Sequence, residues 1–225
     1  MTALVKRSPL AAVCRARDAA IEKIDGWEMA SHFGDPEAEK RALAEGSVLV
    51  DWSHIGKIQI RGRDAPDQAQ RLWSGAVDLP LLRAAGDESL AVLRLAQDEF
   101  LVLCGTGCSG EHLTRLEEGS SVVCDCSGAL GALLLAGPRR DEVIERSAAM
   151  DLSARALGPG SAVQTTVHTV PCTVYRGSAW DLYLQTRDYT ESLYGAFMDV
   201  GRSVGLVAAG LACVPANLRA GGDHA

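Results

Sequence analysis

Val50-Asp51-Trp52-Ser53-His54-Ile55-Gly56-Lys57 is the stretch on which the reading of the fold turns. Before it, Ser47-Val48-Leu49-Val50 is apolar enough for a short strand. After it, Lys57-Ile58-Gln59-Ile60-Arg61 alternates polar and apolar residues, the pattern of a half-buried strand. Between them, Asp51 and Ser53 have side chains that hydrogen-bond nearby backbone, and Gly56 permits a tight exit. The Ser53-His54 adjacency is not a nucleophile–base pair, because neighbours on a strand point to opposite faces. The stretch therefore reads first as a strand–turn–strand held by side-chain hydrogen bonds, and only second as a place where a ligand is touched.

Upstream, a helix is expected from Asp35 to Glu45. Asp35 can cap it, Pro36 suits the first helical position, Glu37 and Glu39 suit the positive end of the dipole, and Gly46 stops it. Downstream, Asp64 to Leu72 reads as a short helix. Leu90–Leu95 and Glu99–Cys104 flank a three-residue connection and read as a hairpin. Further helices are expected over 107–116, 141–149 and 190–204. Strands are expected at Leu130–Leu135, as one run from Thr165 to Tyr175, and at Trp180–Leu184. His168 falls inside that long run and is expected to be a hydrogen-bonded sheet histidine. Residues 1–9 read as a loose arm. Strands and helices mix without a βαβ rhythm, which predicts an α+β fold with largely antiparallel sheets and flanking helices.

The 225 residues are 47% hydrophobic and 23% charged, an ordinary globular composition. The formal charge of −7 gives no general attraction to nucleic acid or an anionic membrane. No apolar run approaches the roughly 20 residues that span a bilayer. Lys6 and Arg7 are not followed by the apolar region of a secretory signal, so a cytoplasmic location is expected. The seven cysteines are read as reduced thiols, since Cys104-x3-Cys108 and Cys124-x-Cys126 do not match a closed metal-ligand set. No metal is expected.

Several blocks, in order, resemble the glycine-cleavage T-protein (aminomethyltransferase) superfamily. Gly26-Trp27-Glu28-Met29 comes first. Asp51-Trp52-Ser53-His54-Ile55-Gly56-Lys57 is close to the family's Asp-x-Ser-His-Met-Gly-Lys, and Ile60-Arg61-Gly62-Arg63-Asp64-Ala65 to its Val-x-Gly-x-Asp-Ala. Ala136-Gly137-Pro138 stands for Gln-Gly-Pro, and Gly210-Leu211 with Leu218-Arg219 for Gly-Leu and Leu-Arg. The resemblance implies an N-terminal arm (1–23), a T-protein-like folate-binding domain (24–219) and a flexible tail (220–225), without the C-terminal barrel domain. It also implies tetrahydrofolate as the ligand, with Asp51, Ser53, His54, Ile55, Trp180 and Arg219 as candidate contacts.

The sequence departs from the family pattern at functional positions. No counterpart of the family's Gly-Gly-x-x-Asp-Asp is recognised inside the hairpin, where Leu95 runs through Ala96-Gln97-Asp98 into Glu99. The Gly-Tyr-Thr-Gly-Glu run becomes Tyr175-Arg176-Gly177-Ser178, without its glutamate. The Ala-Arg-Asp triplet becomes Ala212-Cys213-Val214, without its arginine. Losing a positioned carboxylate commonly removes on the order of 10²- to 10⁴-fold of rate. The expectation is a subunit resembling the gamma chain of sarcosine oxidase, weakly or non-catalytic by itself. It would complete or brace a folate site beside a flavin-dependent amine oxidase-like or T-protein-like chain. The alternatives are a stand-alone tetrahydrofolate-dependent aminomethyl- or methyltransferase and an iron–sulfur maintenance protein of the same superfamily.

Overall fold

A computed structural model describes residues 5–87, 90–116 and 119–215. Its strands are β1 (Lys6–Arg7), β2 (Ala20–Ile24), β3 (Trp27–His32), β4 (Ser47–Asp51), β5 (Gly56–Arg61), β6 (Arg83–Gly86), β7 (Leu90–Ala96), β8 (Glu99–Cys104), β9 (Val122–Asp125), β10 (Leu130–Ala136), β11 (Ala162–Val167), β12 (Val170–Arg176), β13 (Trp180–Thr186) and β14 (Leu206–Ala209). The α-helices are α1 (Ala11–Ala16), α2 (Pro36–Glu45), α3 (Ala65–Leu72), α4 (Ser109–Thr114), α5 (Arg140–Ile144) and α6 (Thr190–Gly201).

The strands form a six-stranded sheet, β11-β12-β13-β10-β4-β14, a five-stranded sheet, β6-β7-β8-β5-β9, and a small sheet, β1-β3-β2. Pairing is antiparallel except for β1 with β3 and β14 with β4. The two large sheets face each other across one core, in which Val48, Val50, Leu134 and Leu182 meet Leu93, Leu101 and Leu103. The outer face of the six-stranded sheet (Leu49, Leu133, Leu135, Tyr183) is covered by Leu193 and Phe197 of α6. The outer face of the five-stranded sheet (Ile58, Ile60, Val92, Phe100) is covered by Ala65, Ala69 and Leu72 of α3. The order is helix, sheet, sheet, helix. Central strands buried on both faces explain the unbroken apolar runs of β4 and β10. The α+β expectation with mostly antiparallel sheets holds.

Helix α2 forms as its sequence dictates, with Asp35 Oδ1 accepting from the Glu37 and Ala38 amides at 3.0 Å each. The β7–β8 hairpin also forms where expected. Several expectations do not hold. The run from Thr165 to Tyr175 is two strands, folded back at His168 and Thr169, whose φ values are 46° and 69°. Thr169 is β-branched and disfavours the left-handed region, and His168 signals such a turn far more weakly than Asn-Gly or Asp-Gly, so alternation hides the break. His168 is therefore a turn residue, with its ring edge-on to Phe197 at 5.5 Å. Helices α4 and α5 are shorter than their patterns suggest.

The described part of the N-terminal segment, from Val5 on, is packed rather than loose. β1 pairs with β3, and Leu10 and Cys14 are buried under the six-stranded sheet. Hydrophobicity alone does not announce which layer Leu10 and Cys14 cover, so the sequence of this segment does not distinguish an arm from a packed element. Among the described residues no helix is long and apolar enough to cross a membrane.

Candidate functional site

The turn between β4 and β5 is tied on every side. Ser53 N donates to Asp51 Oδ1 at 3.0 Å, closing an Asx-type turn. Trp52 N donates to Ala132 O at 2.8 Å, and Ala132 N donates to Ser53 Oγ at 3.1 Å, which fastens the turn to β10. Lys57 Nζ reaches back to the Ser53 and Ile55 carbonyl oxygens, both at 3.0 Å. At Gly56 a side chain would place Cβ 2.5 Å from Cys104 Sγ, so the β5–β8 approach requires glycine here.

This turn is a buried electrostatic unit. Asp51 also accepts a hydrogen bond from Ser8 Oγ, which the chain delivers from the N-terminal segment. Burial raises the Asp51 carboxyl above its ordinary range, against the Ser8 and Ser53 hydrogen bonds and the Lys57 charge, which lower it. Burial likewise pushes the Lys57 ammonium down to about 8, against the attraction of Asp51 and Asp125. Sequence alternation had placed Lys57 on a half-buried strand; in the fold it is completely buried. The polar face of β5 looks into the space between the sheets, which closes over Lys57 and opens to solvent at Arg61.

The expected contact residues do not form one surface. Asp51 lies on the α1 side of β4, among the groups that act on the Cys14 thiol. Ile55 and Trp180 lie in the core between the large sheets, 6% and 5% exposed. Trp180 meets Tyr175 edge-on, ring centres 4.9 Å apart, and its indole Nε1 is buried with no hydrogen-bond partner. His54 is buried with its ring edge-on to Trp52 at 5.2 Å. Ser53 is consumed by the turn. Arg219 lies outside the described residues.

A cleft of about 320 Å³ opens between the sheets at the far end of β5. That is roughly 17 Å from the Ile55 end, at about 3.4 Å per residue of strand. Its polar wall is Glu99, whose two carboxylate oxygens accept from Gln59 Nε2 at 3.0 Å and Arg61 Nη2 at 2.9 Å. Thr173 and Leu184 stand opposite. None of the expected contact residues that the structure describes lines it.

Two further groups were missed from sequence. Asp87 directly follows β6, one hairpin before the β7–β8 connection. Leu90 N donates to Asp87 Oδ1 at 3.2 Å. Leu90 and Gly56 are both paired with Cys104, so Asp87 sits at the Ile55 end of the sheet. The second group is a buried ion cluster: Arg140 Nε lies 3.1 Å from Asp181 Oδ2, and Arg176 Nε 3.6 Å from Asp181 Oδ1. Arg176 also pairs with Asp141 at 2.5 Å. Burial raises Asp181 to about 6, against the two arginines, which lower it.

The GCVT N-terminal domain model matches residues 10–221. The aminomethyltransferase of Geobacillus thermodenitrificans is 27% identical over 226 residues, covering 92% of this chain and 62% of the relative. That of Lysinibacillus sphaericus is 28% identical over 233 residues, covering 95% and 63%. The chain thus spans less than two thirds of these relatives. Among solved structures, the glycine cleavage system aminomethyltransferase T of Bartonella henselae superposes with a TM-score of 0.78 at 17% identity, over 93% of this chain and 60% of that one. A chain of the heterotetrameric sarcosine oxidase of Corynebacterium sp. U-96 superposes with a TM-score of 0.66 at 22% identity, over 88% and 96%. The order of motifs, the paired sheets and the family match agree: the chain belongs to the GCVT N-terminal domain family.

Proposed function

We propose that this chain is a T-protein-like subunit of a larger assembly in tetrahydrofolate-linked one-carbon metabolism, located in the cytoplasm. It braces or completes a folate site beside a flavin-dependent amine oxidase-like or T-protein-like chain, and is weakly or non-catalytic by itself. The observation that carries this reading is the packing of the candidate contacts. Asp51 and Ser53 spend their hydrogen bonds on the turn, while Ile55 and Trp180 are core residues. Around Trp180 the core offers one unpartnered donor, Nε1, whereas Ser178 and Cys213 stand where the family has a glutamate and an arginine. The polar edges of a pterin would lose partners here, at a cost of about 1–3 kcal/mol for each unsatisfied group. The residues present do not fit the ligand without help, so no chemical step is assigned to them.

Calorimetric titration of the purified chain with tetrahydrofolate tests the reading. The expected result is no measurable binding alone, and co-purification with a chain that shows flavin absorbance or one that itself binds folate. Tight binding by the chain alone would overturn it.

Asp87 favours a second reading, a stand-alone tetrahydrofolate-dependent transferase. It places a carboxylate at the Ile55 end of the five-stranded sheet, the end that carries the position of the family's folate-contacting methionine, at the β6 edge three strands from β5. On that reading the purified chain transfers a one-carbon unit and Asp87→Asn removes the activity. Absence of transfer by the wild-type chain excludes it.

A further inference from the structure

Cys124 and Cys126 lie two residues apart at the end of β9, the edge strand of the five-stranded sheet. Side chains at that spacing on an extended strand project to the same face. Cys124 is paired with Gln59 of β5, and Cys126 N donates to Lys57 O at 2.8 Å. Cys124 is exposed, and Cys126 is part of the cleft wall. Two strand steps span about 6.6 Å, inside the range of roughly 4.4–6.8 Å over which disulfides close. The strand ends at Asp125, and Cys126 opens the turn that follows, its carbonyl oxygen accepting from Ala129 N at 3.0 Å and Leu130 N at 2.9 Å.

We propose that Cys124 and Cys126 are a reversible redox-modification site in the cleft wall, oxidised to an intramolecular disulfide by a small dialkyl disulfide of the glutathione type. The Cys124 thiolate attacks one sulfur of the oxidant, forming a mixed disulfide and releasing one thiol. Cys126 then attacks the Cys124 sulfur, breaking the mixed disulfide and releasing the second thiol. Two protein thiols lose two electrons and two protons, and the oxidant takes up both to become two thiols, so the exchange balances. The order of attack follows from access. Burial pushes the Cys126 thiol up to about 11, with the Cys124 hydrogen bond and charge adding to it. Those two contributions vanish once Cys124 is in the mixed disulfide. Cys14, Cys104 and Cys172 are buried, with thiols raised to about 12, and do not compete.

Arg115 and Arg139 bound a tryptic peptide, 116–139, that carries Cys124 and Cys126 and no other cysteine. The full chain is equilibrated in buffers of increasing glutathione disulfide to glutathione ratio, quenched in acid, alkylated and digested. The expected result is loss of both alkyl adducts from this peptide together, with a mass lower by two hydrogens, reversed by dithiothreitol. In Cys126→Ser, whose fold is checked by circular dichroism, Cys124 is expected to stop at the glutathione adduct. The proposal is overturned if peptide 116–139 keeps both adducts at the most oxidising ratio. It is also overturned if wild-type Cys124 stops at the adduct, or if either cysteine bonds to another chain or to Cys108.

Discussion

Ser8 Oγ donates a hydrogen bond to Asp51 Oδ2, joining side chains 43 positions apart and locking the N-terminal segment onto the turn that marks the family. The bond ties a segment that reads as an arm to the single acid of that turn. Ser8→Ala leaves one carboxylate oxygen short of a partner in a buried site. It is expected to lower the unfolding free energy by about 1–3 kcal/mol. Urea titration measures this, and a cycle with Asp51→Asn should show coupling well outside about 0.5 kcal/mol, the usual limit for independent sites.

Gly56 lies against Cys104, and the steric conflict there is specific. Gly56→Ala is expected to cost about 1–3 kcal/mol, as overpacking of a tight core does. Adding Cys104→Ala removes the sulfur that the new methyl meets, so the double variant should be less destabilised than the sum of the two. Additive losses would show that the clash is relieved elsewhere. Thermal or urea unfolding of the three variants decides.

Lys57 makes stability depend on alkaline pH. Its folded-state value is about 8, below the ordinary 10.5. Between these values the folded chain has released the proton and the unfolded chain still holds it. Stability contributed through Lys57 therefore rises with pH across that window and is flat below it. At 1.36 kcal/mol per pH unit the full gain is on the order of 3 kcal/mol. Lys57→Met should remove the slope, read as the difference between wild-type and variant unfolding free energies at about pH 7.5 and pH 10.

Asp181 is the shared counter-charge of Arg140 and Arg176, which are themselves 8% and 1% exposed. Asp181→Asn leaves two buried guanidinium groups with Asp141 as the remaining acid at the cluster. A loss of about 3–5 kcal/mol is expected, the usual result of removing one partner from a buried pair. A change below about 1 kcal/mol in urea unfolding would mean that the cluster is hydrated.

The sequence by itself determined the elements whose signals are local. Asp35 and Pro36 fix the start of α2 because capping is decided within one turn of helix. Asp51, Ser53 and Gly56 mark the β4–β5 turn because an Asx-type bond and a close glycine approach are short-range facts. The order of those motifs was enough to identify the family. The tertiary structure decided which layer each side chain enters. Alternation in β5 marks two faces but not their neighbours, so Lys57 read as a strand lysine until a second sheet covered it. Ser8 and Asp51 meet only because β1 pairs with β3, and Ile55 and Trp180 become core because two sheets close over them. His168 and Thr169 turn the chain at positive φ, which neither side chain announces. The turn Asp51–Lys57 therefore encodes its own shape, while burial, charge and access at it are set by segments far away in sequence.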